Sequence, residues 1–276
     1  MSAALSGRRK FALYAAPVAL VVVVLSGSVY TFGQLTDTHD SVRVDPADGA
    51  KLYAANCAYC HGERGEGNGP AAISPRARSF GFDKFRFAMT PNGVPTDDDL
   101  MRIVRNGIPG SAMPKFDRMT DDECRAVIGH VRQLARAGAF RKWLQKALKE
   151  DPTDPDLEGA AKKVEAEVAV LGPAALPALP PLQSLANGKK TFDVSCAQYH
   201  GPLGKGDGPQ AQVDEHGTPI RPRDLTTGTY KGGGRSEDIL ARIYLGVPGT
   251  PMPATQQLAP QDLADLVGYV RSLVGK

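Results

Sequence analysis

Residues 57–61 read Cys-Ala-Tyr-Cys-His, and the same frame returns at residues 196–200 as Cys-Ala-Gln-Tyr-His. Outward from this pair, matching residues recur at one spacing. Gly49 and Gly188, Gly69 and Gly208, Pro70 and Pro209, Gly107 and Gly246, Gly110 and Gly249, Met113 and Met252, and Pro114 and Pro253 are all 139 positions apart. So are Val131-Arg132 and Val270-Arg271. Chance does not produce that register, so the chain holds two copies of one unit, residues 45–137 and 184–276. Between Pro70 and Gly107 the copies diverge, an insertion in one offset by a deletion in the other, as in loops on a shared scaffold.

Each copy has the same layout. A short helix precedes the cysteine motif, a glycine-rich loop follows it, a second helix runs into the methionine segment, and an amphipathic helix closes the unit. Thr120 and Glu123 have capping-box spacing at the start of the first closing helix, and Pro260 stands near the start of the second. No segment alternates with period two, which predicts an all-α fold. Residues 138–183 join the copies as a semi-rigid spacer. AFRKWLQKALKE and LEGAAKKVEAEVAVLG read as helices around DPTDPD, and GPAALPALPPL as extended chain.

The first motif has the C-x-x-C-H spacing of c-type haem attachment. Two thiols three residues apart can each bond one vinyl-derived carbon of the haem, and the next residue presents its imidazole to the iron. On Cys57, Cys60 and His61, and on the repeat of that frame, each copy resembles a class I cytochrome c domain over about 185 of the 276 residues. The resemblance implies a second axial ligand from a methionine in the later half of each unit. Met113 in GSAMPKF and Met252 in GTPMPA stand there, each 52 residues after its histidine, His61 or His200. Met89, Met101 and Met119 have no methionine at the 139 offset and read as core or surface residues. His/Met ligation fills the sixth position and raises the potential, which suits electron transfer better than substrate binding.

The second motif departs from the pattern, because Tyr199 stands where the register expects the counterpart of Cys60. Three readings compete. Haem is held by a single thioether through Cys196, with His200 and Met252 as ligands; or the tyrosine codon is a sequence error one base from cysteine; or the second copy has lost haem and serves for docking. A Cys₃His zinc site built from Cys57, Cys60, Cys196 and His200 is disfavoured, since each half already supplies its own His and Met. A thioredoxin-type pair lacks its strand–helix setting. Cys124, aligned with Leu263, reads as a small core residue. His130, aligned with Tyr269, reads as a packing residue, and in the resembling family this aromatic packs beside the first helix's glycine, here Gly49 and Gly188. His39 and His216 read as solvated loop residues. Arg76, Arg78, Arg221 and Arg223 follow prolines in the haem loops and are candidates for bonding haem propionates, and Trp143 reads as an anchor packing the linker against a haem domain.

Composition sets the remaining bounds. Apolar residues make up 42% and charged residues 23%, which excludes a disordered chain, and a net charge of +3 excludes a nucleic-acid binder. Arg8, Arg9 and Lys10 account for that charge, because residues 34–276 balance 30 bases against 30 acids. Residues 1–10 read as a cytoplasmic N-terminus and residues 11–33, without a charged side chain, as a transmembrane anchor rather than a cleaved signal. The haem domains are then expected in the periplasm or an equivalent outer compartment. The whole reads as a membrane-anchored dihaem c-type cytochrome with two haem c groups. It would pass electrons between a quinol-linked or dehydrogenase donor and a soluble carrier or terminal reductase, with no catalytic residue of its own. The alternatives are a dihaem peroxidase or oxidase subunit with a five-coordinate second haem, and a monohaem cytochrome with a haem-free docking domain. Both copies are near neutral, 14 bases against 14 acids in 34–137 and 10 against 9 in 184–276, which disfavours long-range steering of partners.

Overall fold

The computed structural model describes residues 46–276. The expected span at 11–33 lies outside the described residues. Among those described, no helix is long and apolar enough to cross a membrane.

The described chain is all-helical, with one isolated β-bridge between Val213 and Pro219. The first repeat comprises α1 (Pro46–Asn56), the one-turn α2 (Ala58–His61), α3 (Asp97–Asn106) and the start of α4 (Asp121–Glu150). After α5 (Leu157–Val168), the second repeats the order as α6 (Leu185–Ser195), α7 (Ala197–His200), α8 (Ser236–Leu245) and α9 (Pro260–Ser272). The termini follow their sequence signals. Thr120 Oγ1 accepts the Glu123 N–H at 3.2 Å while Glu123 Oε2 accepts the Thr120 N–H at 2.7 Å, and Pro260 opens α9 at its first turn.

In each repeat the first and last helices cross at a glycine. Gly49 lies so close to α4 that a Cβ would stand 2.2 Å from the Ala126 carbonyl oxygen, and at Gly188 it would stand 2.1 Å from that of Asp265. One turn further along, Tyr53 meets His130 with ring centroids 5.1 Å apart, and Phe192 meets Tyr269 at 5.4 Å. His130 is therefore a packing residue. Around these crossings lie the cores: Tyr53, Val127 and Val131 in the first repeat, and Phe192, Leu263, Leu266 and Val267 among others in the second. Cys124 is fully buried, as a small core residue would be.

One clamp belongs to the second repeat alone. The buried Asp265 carboxylate accepts the backbone N–H groups of Gln183 and Ser184 at 2.9 and 3.1 Å, and the side-chain amides of Asn187 and Gln261 at 3.0 and 3.1 Å. Position 126, its counterpart, is alanine. These bonds, the Asn187 amide first among them, hold the Asp265 carboxyl down to about 2, against an ordinary 3.8. A depressed folded-state value means stability that is present above the ordinary value and lost as the pH falls toward 2. Asp265→Asn is expected to flatten the acid limb of the second repeat's thermal stability between about pH 4 and 2. A melting-temperature series from pH 5 to 2 checks this, and an acid limb unchanged from the wild type would contradict it.

The linker differs from the sequence expectation in two respects. The closing helix of the first repeat does not end before the spacer but runs on through it as a single 30-residue helix, because nothing between Thr120 and Asp151 breaks it. Beyond α5 the extended segment straps across both repeats. Ala174 N–H donates to Met89 O at 2.7 Å, Asn92 Nδ2 to Ala169 O at 2.9 Å, and Leu176 and Leu179 pack on the second core. Repeats and linker thus form one compact unit. Trp143 does not anchor the linker to a haem domain. Its place on α4 faces α5, where Nε1 donates to Glu167 at 2.7 Å and Lys142, Lys146 and Lys163 stand 5.2–5.3 Å from the ring centre.

Candidate haem-binding sites

Each cysteine motif sits at a helix end that turns sharply. In the first repeat, His61 N–H bonds Cys57 O at 2.9 Å and Gly62 N–H bonds Ala58 O at 2.8 Å; in the second, His200 N–H bonds Cys196 O at 2.9 Å and Gly201 N–H bonds Ala197 O at 2.8 Å. Gly62 and Gly201, at φ 77° and 75°, then turn the chain through a region closed to most side chains. Gly69 and Gly208 pass beneath the motif, where a Cβ would stand 2.4 Å from the Tyr59 and Tyr199 carbonyl oxygens.

The histidines are held identically. His61 Nδ1 donates to the Arg78 carbonyl at 3.0 Å and His200 Nδ1 to the Arg223 carbonyl at 3.1 Å. A carbonyl only accepts, so the proton is on Nδ1 and Nε2 keeps its lone pair for a metal. Burial pushes both imidazoles below their ordinary pKa, only partly countered by the carbonyl bond, which keeps them neutral and able to ligate. Phe80 stacks on His61 at 4.7 Å and 21°; in the second repeat Leu225 takes its place. Phe80 N–H bonds Gly65 O and Leu225 N–H bonds Gly204 O, so here equivalent residues are 145 apart, whereas the caps Thr96 and Arg235 are again 139 apart. The second loop gains six residues and loses six before the next helix, the compensation the sequence pattern implied.

The methionine segments are also duplicates. Ile108 N–H bonds Met113 O at 3.1 Å, and Val247 N–H bonds Met252 O at 3.1 Å. The Ser111 and Thr250 hydroxyls donate to the Ile108 and Val247 carbonyls at 2.7 Å and accept the Met113 and Met252 N–H groups at 3.2 Å. Both methionines are half-buried. Burial pushes the thiols of Cys57 and Cys196 up to about 11, Cys57 further assisted by Cys60 beside it.

Comparison with known proteins agrees with this geometry. Residues 44–131 match the family model "Cytochrome C oxidase, cbb3-type, subunit III", and residues 185–274 match "Cytochrome c". The chain is similar to cytochrome c6 of Leptolyngbya boryana, 33% identical over 96 residues, which are 34% of this chain and 98% of that protein. The chain belongs to the cytochrome c family. Cytochrome c6 of Cyanidioschyzon merolae is 32% identical over 94 residues, 34% of this chain and 79% of that one. Among solved structures, a chain of the Kuenenia stuttgartiensis reducing HAO-like protein complex superposes with a TM-score of 0.65 and 30% identity, over 82% of this chain and 96% of that chain.

Cytochrome c domains carry covalent haem c, and the donors present fit it. Cys57, Cys60, His61 and Met113 offer two thiols, a neutral imidazole with Nε2 free, and a soft thioether. Cys196, His200 and Met252 offer the same set less one thiol. Tyr199 keeps the backbone role of Cys60, since its N–H bonds Cys196 O at 3.0 Å as Cys60 N–H bonds Cys57 O at 3.1 Å. The change at 199 thus removes one thiol and leaves the turn intact.

Other candidates end elsewhere than expected. His216 is an exposed loop residue, as expected, but it is also engaged: its Nε2 lies 2.8 Å from Asp83 Oδ1 and 2.9 Å from Arg76 Nη2, both in the opposite repeat. Arg76 is engaged with Asp83 at 3.0 Å, and Arg221 is exposed. His39 lies outside the described residues. Sequence reading also missed the cross-repeat pairs of Arg78 with Glu215 and of Arg86 with Asp214, the latter at 3.2 Å, because no repeat offset marks a contact between unlike positions.

Proposed function

We propose that this cytochrome is a membrane-anchored dihaem electron carrier working on the outer face of a bacterial membrane. The carrying observation is the duplicate coordination scaffold, in which each His is fixed by a carbonyl through Nδ1 and each Met segment by the same three hydrogen bonds. Haem c, when bound, supplies a one-electron couple. The chain's own part would be to offer Nε2 of His61 and His200 and the sulfurs of Met113 and Met252 as ligands, each held by the bonds described above. A neutral imidazole and a neutral thioether on one iron would favour the lower-charged reduced state, as an electron carrier needs.

The second site binds haem through Cys196 alone. Retention of the His200–Arg223 bond and of the Met252 segment supports this reading over a haem-free or five-coordinate domain. The apolar residues 11–33, with Arg8, Arg9 and Lys10 before them, support the anchor and its orientation. Its donor is a quinol-linked or dehydrogenase protein and its acceptor a soluble carrier or terminal reductase. The likeness to a chain of a reducing HAO-like complex supports service as the electron-transfer partner of a larger oxidoreductase.

The test is the intact mass of the mature chain with a pyridine haemochrome count. Two covalent haems and retained residues 1–33 are expected. One vinyl group survives a single thioether, so the haemochrome band of the wild type lies to the red of that of Tyr199→Cys. A single haem, or release of one by acidified organic solvent, would sink the proposed attachment.

A further inference from the structure

The two coordination scaffolds match bond for bond, so what differs around them sets the two sites apart. Nδ1 of the histidines donates at 3.0 and 3.1 Å, and the methionine N–H groups are held at 3.2 Å in both repeats. Axial ligation therefore contributes equally. Two differences remain. The first is Tyr199, whose N–H keeps the place of Cys60 in the turn but whose side chain offers no thiol, so that one vinyl group of the second haem stays conjugated to the ring. The second is cover. Pro109, Gly110, Ser111 and Ala112, ahead of Met113, are all exposed, whereas their counterparts Pro248, Gly249, Thr250 and Pro251, ahead of Met252, are all partly buried.

The second haem loop supplies part of that cover. Glu215 N–H donates to Gly249 O at 3.3 Å, and its carboxylate lies so close that a Cβ on Gly249 would stand 2.5 Å from it. Pro248 in turn faces the first repeat, its Cγ 3.8 Å from where a Cβ on Gly93 would stand. Little net charge comes with this cover, because Glu215 pairs with Arg78. Beyond Met113, Lys115 and Asp117 pair with each other at 2.7 Å. Arg223, whose carbonyl holds His200 and whose outer nitrogens lie against Gly110, stands by both sites and favours neither.

Both differences act in one direction. A vinyl group conjugated to the ring withdraws electron density that a saturated thioether arm leaves in place, which favours iron(II). Excluding water raises the cost of the extra positive charge of iron(III), which favours iron(II) again. We propose that the second site holds its haem at the higher potential, so that a lone electron on the protein rests at the His200–Met252 site and the first site is the one that passes it there. The transfer is of one electron: the first iron goes from II to III as the second goes from III to II, with no proton moved and no bond broken. This order rests on the dihaem reading above and on attachment through Cys196 alone.

The surviving vinyl group also labels the second haem, by setting its absorption band to the red, so one reductive titration of the full holo-chain reads both sites. The red-shifted band is expected to be reduced first, with the equilibrium between the two haems favouring it roughly tenfold or more. Tyr199→Cys, which offers the second thiol, is expected to narrow that ratio several-fold. Tyr199→Ser, which removes the phenol and still offers no thiol, is expected to leave it unchanged. A count of one haem per chain overturns the dihaem reading and the order with it, and two haems with a single unshifted band overturn attachment through Cys196 alone. Two resolved bands reduced together, or the red-shifted one second, overturn the order and leave both readings standing. Narrowing in Tyr199→Ser equal to that in Tyr199→Cys assigns the effect to the phenol and overturns the part given to the vinyl group. The wild-type titration decides the order even if neither variant folds.

Discussion

Gly49→Ala and Gly188→Ala are each expected to cost their own repeat about 3 kcal/mol, the upper end of what overpacking a tight contact does. The added methyl would stand 2.2 Å from Ala126 O in one case and 2.1 Å from Asp265 O in the other. Both obstacles are backbone on the partner helix, so no rotamer change relieves them and the helices must move apart. Separation opens the Tyr53–His130 and Phe192–Tyr269 contacts one turn along. Gly129→Ala is the control, an exposed glycine of α4 with nothing within 4 Å of the new methyl. There a helix gains about 1 kcal/mol by losing glycine's freedom in the unfolded chain. Denaturant unfolding of the holo-protein should show opposite signs for the crossing and control sites. Crossing variants within 1 kcal/mol of wild type would contradict the close approach.

The second large effect is expected at Arg242, on α8 of the second repeat. Its Nη1 donates to Arg86 O at 2.9 Å, and its Nη2 to Ala88 O at 2.9 Å and to Met89 Sδ at 3.1 Å, all in the first repeat. Burial, reinforced by Arg102, lowers its pKa to about 10, which still leaves it charged at neutral pH. Arg242→Met keeps the apolar stem but strips the donors from two carbonyls in a buried segment, for an expected loss of about 2–4 kcal/mol. Arg242→Lys should recover only part, because one ammonium cannot span carbonyls two residues apart as a planar guanidinium does. The check is the denaturant midpoint together with hydrogen exchange at residues 86–89, which should accelerate although the mutation is in the other repeat. Unchanged exchange there would rule the latch out.

These two sites differ in how readable they were. Gly49 and Gly188 declared themselves by recurring at the common offset, as did the motifs, the methionine segments, and His130 as the partner of Tyr269. Helix starts at Thr120 and Pro260 were legible because capping chemistry is local. Arg242 carried no such mark. Its counterpart is Ile103, and its bonds reach back 153 to 156 positions to residues related to it by no symmetry of the duplication. The Asp265 clamp was hidden because it exists in one copy only, and the His216–Asp83 pair because it joins unlike positions of the two copies. The unbroken α4 was missed because a repeat boundary invites a break that the helix-forming residues 137–150 do not supply.

That helix has a consequence for truncation. A duplicated unit begins as two beads on a string, and either can be deleted with little harm to the other. Here α4, about 45 Å long at 1.5 Å per residue, starts as the closing helix of one bead and continues as the string. A truncation at residue 137, where the first copy ends, would cut through an intact helix and discard α5, which braces its far half. The copies can differ in detail, as Tyr199 differs from Cys60, while the first copy's closing helix and the start of the string remain one continuous rod.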